Sequence, residues 1–398
     1  MTLSSREARI LNIIDEHYLV NMLSDLIRIS SQNPPGEERK IADYCAQRCR
    51  DSGMNVQLVG EGERKNAIAT LPGTEERPVL LYHAHLDTVP IGDRSKWRFD
   101  PLGGQISNGR VYGRGACDTK NSVAAMIHAA EALIRSGIKS KGKLVLCLAA
   151  DEEMGGHLGT EYVLNEGYLR DVDMVVAGEQ TGLRVAVAEK GLAMLVIRTK
   201  GVSAHGSMAG EAGINAISKM GKILRAIDEE YLPKLKQRKH KLLGASTCSA
   251  GVIEGGTKLT MVPEHCSLKL DCRFPPRKRA EDIRKEIEEL IERLRQEDPQ
   301  LEATVEIGHE VLPFETEENA PLVQQLRKAV EKVKGVDLGI AGYYPVSDGH
   351  LFAERNIPTV VFGSGNTLQA HTTDEYVEID QLVDSAKILA LLALEVLC

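Results

Sequence analysis

The stretch GACDTKNSVAAMIHAAEALIRSGIKSKGKLVLCLAADEEMGG, residues 115–156, decides the fold. Its apolar residues recur at helical spacing over 121–137, and KLVLCLAA (143–150) is then an unbroken apolar run of strand length. A helix leading into a buried strand is the repeating unit of an open α/β sheet. The strand ends on three adjacent acids, Asp151, Glu152 and Glu153, followed by two glycines. Like charges at a buried strand end repel one another and lose hydration, unless positive charge lies close by.

The same rhythm continues on both sides. Upstream, helical patterns over 18–30 and 37–53 flank the turn segment SSQNPPGE, and the short runs NVQLV, NAIATL and PVLLYHAHLDTV read as strands. Downstream, VDMVVAGEQ (172–180) is one more strand, after which the order changes. Residues 185–310 read as strand (186–199), helix (212–229), strand (246–254), strand (261–273), helix (277–297) and strand (302–308). That β-α-β-β-α-β order is ferredoxin-like and self-contained, which predicts an inserted domain. The alternation resumes with a helix near 319–334, a strand TVVFG (359–363) and an apolar helix from 380. One α/β domain is therefore expected over 1–184 and 311–398, interrupted by a smaller α+β domain over 185–310.

Composition excludes several classes. With 398 residues, 42% of them apolar, the chain can bury a large core. Net charge is −8 and the basic residues are dispersed, which argues against a nucleic-acid partner. The one basic run, KLKQRKHK (234–241), reads as a solvated helix end or loop. No apolar run approaches the ~20 residues that span a bilayer, and the N-terminus carries scattered charge, so no membrane association is expected and the expected location is cytoplasmic. Eight cysteines without a CxxC pair make neither a disulfide framework nor a thiolate metal site; Cys117 reads as packing.

Several polar residues lie where chemistry is done in such sheets. In LLYHAHLDTVP, a period of two puts His83, His85 and Asp87 on one side at a strand's carboxyl end, where open α/β sheets hold their sites. A histidine with a carboxylate nearby suits a metal ligand and its orienting partner, and also suits a satisfied core pair. Asp118, beyond glycines 113 and 115, can cap the following helix or bind a metal. Glu179 in VAGEQTG and His371 in LQAHTTDEYVEI are unremarkable taken singly. Together with the 151–153 acids they form a set of imidazoles and carboxylates without thiolate, which suits Zn²⁺, Co²⁺ or Mn²⁺, and several carboxylates suggest two ions.

The motifs HLDTVP, WRFDPLGGQISNGRVYGRGACDTK, ADEEMGG, GEQTG, VSAHGSMAGEAGINAI and AHTTDEYV occur in one order over almost the whole chain. In this the chain resembles the dinuclear zinc aminoacylase and carboxypeptidase family, which includes acetylornithine deacetylase, succinyl-diaminopimelate desuccinylase and glutamate-releasing carboxypeptidases. The resemblance implies a zinc-peptidase-like open mixed sheet with helices on both faces, plus a ferredoxin-like lid through which two chains dimerise. It implies that His85 and Glu179 hold one metal, Glu153 and His371 the other, and that Asp118 bridges them. Glu152 is left as general base, Asp87 orients His85, Asp151 is structural and His83 has no role beyond packing. The chemistry this implies is that the two ions would acidify a water, Glu152 would take its proton, and the resulting hydroxide would attack an amide carbonyl. His205 would stabilise the oxyanion, often from the partner subunit. Glu179, where some relatives have Asp, points to the amide-hydrolysing branches.

Substrate recognition departs from the family. Arg273 in DCRF suits a substrate carboxylate or a neighbouring lid acid. Thr260 stands where the family often has Asn, and His350 near where it often has Arg. The expected activity is removal of an acyl group from an N-acyl amino acid, with zinc the favoured metal. A di- or tripeptidase or carboxypeptidase would use the same centre. A non-catalytic binding protein of this fold would lack Glu152 or some ligands, and none is missing.

Overall fold

The computed structural model describes residues 3–237 and 239–398, so Arg238 of the basic run lies outside it. The chain forms two compact units, one of residues 1–187, 316–341 and 347–398, the other of 188–315 and 342–346. The sequence expectation put the junctions at 184/185 and 310/311 and left 342–346 with the first unit.

The first unit opens with α1 (Ser5–Leu11), α2 (Glu16–Arg28) and α3 (Arg39–Asp51), then β1 (Asn55–Val59), β2 (Asn66–Leu71) and β3 (Val79–His85). The short β4 (Gln105–Ser107) and β5 (Arg110–Tyr112) precede α4 (Lys120–Arg135), β6 (Lys143–Ala149), α5 (Thr160–Asn165), β7 (Met174–Ala177) and β8 (Val185–Glu189). Strands run β1-β2-β6-β3-β7 across the sheet, with β3 parallel to both β6 and β7 and the β1 edge antiparallel. All seven residues of β3 are buried. This is why 78–89 reads as a continuous apolar run rather than an alternating one. In α4 every residue from Lys120 to Leu133 is buried, because the helix is covered by the sheet and by neighbouring helices.

In the second unit β9 (Gly191–Lys200) is followed by α6 (Ala216–Ala226), a wide turn and α7 (Leu232–Gln237). Then come the two-residue strands β10 (Lys239–His240) and β11 (Gly244–Ala245), β12 (Thr247–Gly255), β13 (His265–Phe274), α8 (Ala280–Glu297), β14 (Glu302–Val311) and β15 (Phe314–Glu315). Its sheet order is β12-β13-β9-β14, antiparallel throughout, the ferredoxin-like order. Leu195, Ile197, Leu268 and Leu270 of the sheet bury against Met220 and Ile223 of α6 and Ile283 and Ile287 of α8.

Three expectations are corrected here. The strand read over 186–199 is two strands, β8 and β9, separated at Lys190. The helix read from 212 starts at Ala216, because the Asn215 side chain accepts from Ser218 N and ends the preceding loop. The continuation through 227–231 is a π-helical turn.

The chain returns through α9 (Pro321–Lys334), β16 (Ile340–Tyr343), α10 (Gly349–Ala353), β17 (Thr359–Val361), β18 (Tyr376–Glu378) and α11 (Ile379–Leu397). Strand β17 lies parallel to β7, and β18 pairs with β5 in a small sheet with β4. Helix α11 packs along α4, burying Ile388, Leu389, Leu391 and Leu392. Among the described residues no helix is long and apolar enough to cross a membrane.

Candidate metal centre

The ends of β3, β6 and β7 and two loops bring the candidate ligands together. His85 is the last residue of β3, Glu179 lies two residues past β7, and Glu153 sits on the turn after β6. Asp118 precedes α4, and its peptide to Thr119 is cis. His371 lies in the loop before β18, with φ +62°.

Two groups of donor atoms result. His85, Asp118 and Glu179 form one, Asp118, Glu153 and His371 the other, and within each group the donor atoms lie within 4.8 Å of one another. Asp118 belongs to both: its Oδ1 is 3.1 Å from His85 Nε2 and its Oδ2 3.3 Å from His371 Nε2. Glu153 Oε2 lies 3.2 Å from His371 Nε2, while its Oε1 accepts from Val89 N at 3.0 Å. Glu152 is in neither group, although its Oε2 comes within 3.9 Å of His85 Nε2.

The electrostatics call for a cation. Burial raises the Glu152 carboxyl well above its ordinary range; His85 pulls it down, and Glu179, Asp348 and Glu153 push it further up. Burial alone would lower His85, yet Glu152, Asp118, Asp87 and Glu179 together raise it well above the imidazole range. His371 is pushed up to about 10 by its contacts with Asp118 and Glu153. Asp118 would be raised by burial, but the two imidazoles hold it well below the ordinary range. The clustered carboxylates thus favour protons on His85, His371 and Glu152, and a divalent ion would neutralise them without that uptake. Two imidazoles and three carboxylates, with no thiolate, are a donor set that fits a pair of borderline-hard cations. Cys117 does not join it, since its Sγ lies against Asn366 O at 3.5 Å.

The surrounding groups fix the donors. Glu375, fully buried, accepts from Cys117 N at 2.8 Å and Asp118 N at 3.0 Å on Oε1, and from Arg114 Nη1 at 2.6 Å on Oε2. Asp87 lies two residues beyond β3. Its backbone carbonyl is 3.0 Å from His85 Nδ1, closer than its carboxylate at 3.6 Å. The carboxylate instead accepts from Glu152 N and Glu153 N, each at 3.1 Å. His83 is buried away from the donors: its Nε2 is 2.7 Å from Thr160 Oγ1, whose hydroxyl donates to Asp348 Oδ2 at 2.5 Å. Asp348 Oδ1 occupies the space a side chain at Gly156 would need, 2.6 Å from an ideal Cβ.

The remaining candidates lie apart in the chain. His350, in α10, is buried, with Nδ1 2.7 Å from Ser347 O. In the second unit His205 opens a short turn and its Nδ1 is 2.7 Å from Ser207 Oγ. Thr260 is exposed next to it, its carbonyl accepting from Gly206 N at 2.8 Å. Arg273 forks onto Asp271 of its own strand at 2.8 and 2.9 Å. Sequence reasoning did not single out Glu375, Arg114, Asn33, Arg64, Thr160 or Asp348. Glu375 stands inside AHTTDEYV, four residues past His371, and an acid at that place was the available signal.

A model of peptidase family M20/M25/M40 matches residues 81–395. A probable succinyl-diaminopimelate desuccinylase of Staphylococcus epidermidis is 24% identical, with 93% of this chain and 95% of the relative covered. An N-formyl-4-amino-5-aminomethyl-2-methylpyrimidine deformylase of Halalkalibacterium halodurans is 26% identical over 93% of this chain and 92% of its own length. The solved aminopeptidase PepT of Bacillus cereus shares the fold with a TM-score of 0.78 at 23% identity, covering 96% of this chain and 99% of that one. The chain belongs to peptidase family M20/M25/M40 and is a metallohydrolase of amide bonds.

Proposed function

We propose that the protein removes the acyl group from an N-acyl amino acid, using Glu152 as general base beside a dinuclear centre held by His85, Asp118, Glu153, Glu179 and His371. The observation that carries this reading is the sharing of Asp118 between two donor groups, with Glu152 within 3.9 Å of His85 and part of neither group. Two divalent ions in those groups, zinc by preference, would acidify a water and polarise the amide carbonyl. Glu152 accepts the water's proton and returns it to the leaving amine, a task suited to a carboxyl that burial raises above its ordinary range. Asp87 supports Glu152 and Glu153 by accepting from their backbone amides. His205 is the proposed donor to the oxyanion, and Arg273, Thr260 and His350 are the proposed readers of the substrate. Acyl removal is also what the names of the desuccinylase and the deformylase describe, which supports the deacylase reading.

A homodimer through the second unit belongs to the same proposal. Strand β12 is a sheet edge, exposed from Ser249 to Gly255, with Val252 and Ile253 44% and 52% exposed. An apolar, unpaired edge is a surface that a second copy would cover. Sedimentation equilibrium at micromolar concentration should give a dimer, and a monomer would remove this part.

The activity test is a panel of N-formyl, N-acetyl, N-succinyl and N-carbamoyl amino acids alongside dipeptides and tripeptides, with and without added Zn²⁺ or Co²⁺. Metal-dependent release of free amino acid from an acyl substrate is expected. Turnover confined to the peptides would make the protein a peptidase, and no turnover at all would overturn the proposal.

A further inference from the structure

We infer that Arg64 is a positioning residue for the turn that carries Glu152 and Glu153, a role that rests on the reading of Glu152 as general base. Arg64 lies 5 residues past β1 and contacts neither donor group. Its guanidinium reaches three buried partners. Nη1 is 2.6 Å from Glu38 Oε1 and 3.2 Å from Asp151 Oδ1, and Nη2 donates to Asn33 Oδ1 at 3.0 Å. Asn33 Nδ2 in turn donates to Asp151 Oδ1 at 3.1 Å and to Asp87 Oδ2 at 2.9 Å. Asp87 then accepts the amides of Glu152 and Glu153.

Arg64 is therefore one end of a hydrogen-bonded chain whose other end is the backbone of the proposed base and of a proposed ligand. Asp151 is held in the left-handed region, φ +67°, which a non-glycine residue keeps only when its surroundings fix it. Its Oδ1 is fixed by Arg64 and Asn33, and its Oδ2 accepts from Leu158 N at 3.0 Å. The seat for the guanidinium is shaped to match. An ideal Cβ on Gly36 would fall 1.8 Å from Arg64 Cζ, so glycine is required there by space as well as by its φ of +89°. The planar fork reaches Glu38 Oε1, Asp151 Oδ1 and Asn33 Oδ1 together, whereas an ammonium on a flexible stem meets them one at a time.

The test uses the full chain loaded with zinc, comparing wild type with Arg64→Ala and Arg64→Lys. In hydrogen exchange read by mass spectrometry, both variants should speed exchange of segment 150–158 at least ~10-fold while α4 keeps its protection. On the best acyl substrate kcat should fall about 10- to 100-fold with KM little changed, the size expected for a small misplacement of a catalytic group. Methylguanidinium, at concentrations well below denaturing, should restore part of kcat to Arg64→Ala, and methylammonium should not. Unchanged exchange at 150–158, exchange raised equally in α4, or wild-type behaviour of Arg64→Lys would each overturn the inference. If Arg64→Ala does not accumulate folded, Arg64→Lys decides. The two failures are distinguishable: an active Glu152→Ala variant defeats the base reading whatever exchange does. Unaltered exchange in Arg64→Lys beside an inactive Glu152→Ala defeats Arg64 alone.

Discussion

Glu152 and Glu153 are chemically identical neighbours placed in different surroundings. Glu153 spends one oxygen on Val89 N and turns the other to His371, whereas Glu152 faces His85 from outside both donor groups. Glu152→Ala should lower kcat by about 10²–10⁴-fold, the range for removing a general base. Metal analysis of the same variant should still give two ions per chain; loss of an ion would mean the two roles are exchanged. His371 offers a second test. Its pKa rises from 6.5 to about 10 in the metal-free protein. A raised folded-state value adds stability that is complete below the unfolded pKa and is lost as pH climbs through the folded one. With metal removed by chelator, Tm should therefore fall between about pH 6.5 and 10, and His371→Gln should flatten that fall. Zinc should flatten it too, because the ion replaces the proton. A rising Tm in the metal-free wild type over this range would contradict the assignment. Taken singly, Asp118 reads equally as a helix cap and Glu179 as a surface acid; the proposed ligands were legible through the resemblance that six ordered motifs carry. Glu375 and Arg64 were not, since their importance comes from contacts 258 positions away in one case and 87 in the other.

At the scale of elements, the sheet strands and α4 were legible because burial on all sides leaves long apolar runs with clear breaks. Helix α1, with 7 residues, is too short to show a period, and the β4-β5-β18 sheet joins three-residue strands that carry no pattern. Helix α4 packs on α11, and Asp118 lies two residues before the start of α4. Leu392, fully buried on α11, should cost about 2–5 kcal/mol when truncated to Ala, read as a shift in the denaturant midpoint. The per-molecule kcat of the folded fraction should stay near wild type, because Leu392 is a core residue of α11 and belongs to neither donor group.

Over the whole molecule, the change from α/β alternation to β-α-β-β-α-β made the inserted unit legible. The brief return of Gly342–Val346 to that unit carries no compositional mark and was not. The proposed ligands, the proposed base and His350 lie in the first unit, and His205, Thr260 and Arg273, whose roles are likewise proposals, lie in the second. His205→Ala should reduce kcat by about 10²-fold without lowering Tm, the usual effect of losing one oxyanion donor, and an unchanged kcat would remove His205 from the reaction. The central claim is a two-ion centre with Glu152 left free, and anomalous diffraction from zinc-loaded crystals tests it most directly. Two peaks are expected, one among His85, Asp118 and Glu179 and the other among Asp118, Glu153 and His371, with Glu152 bound to neither. A single peak, or a zinc held by Glu152, would contradict it.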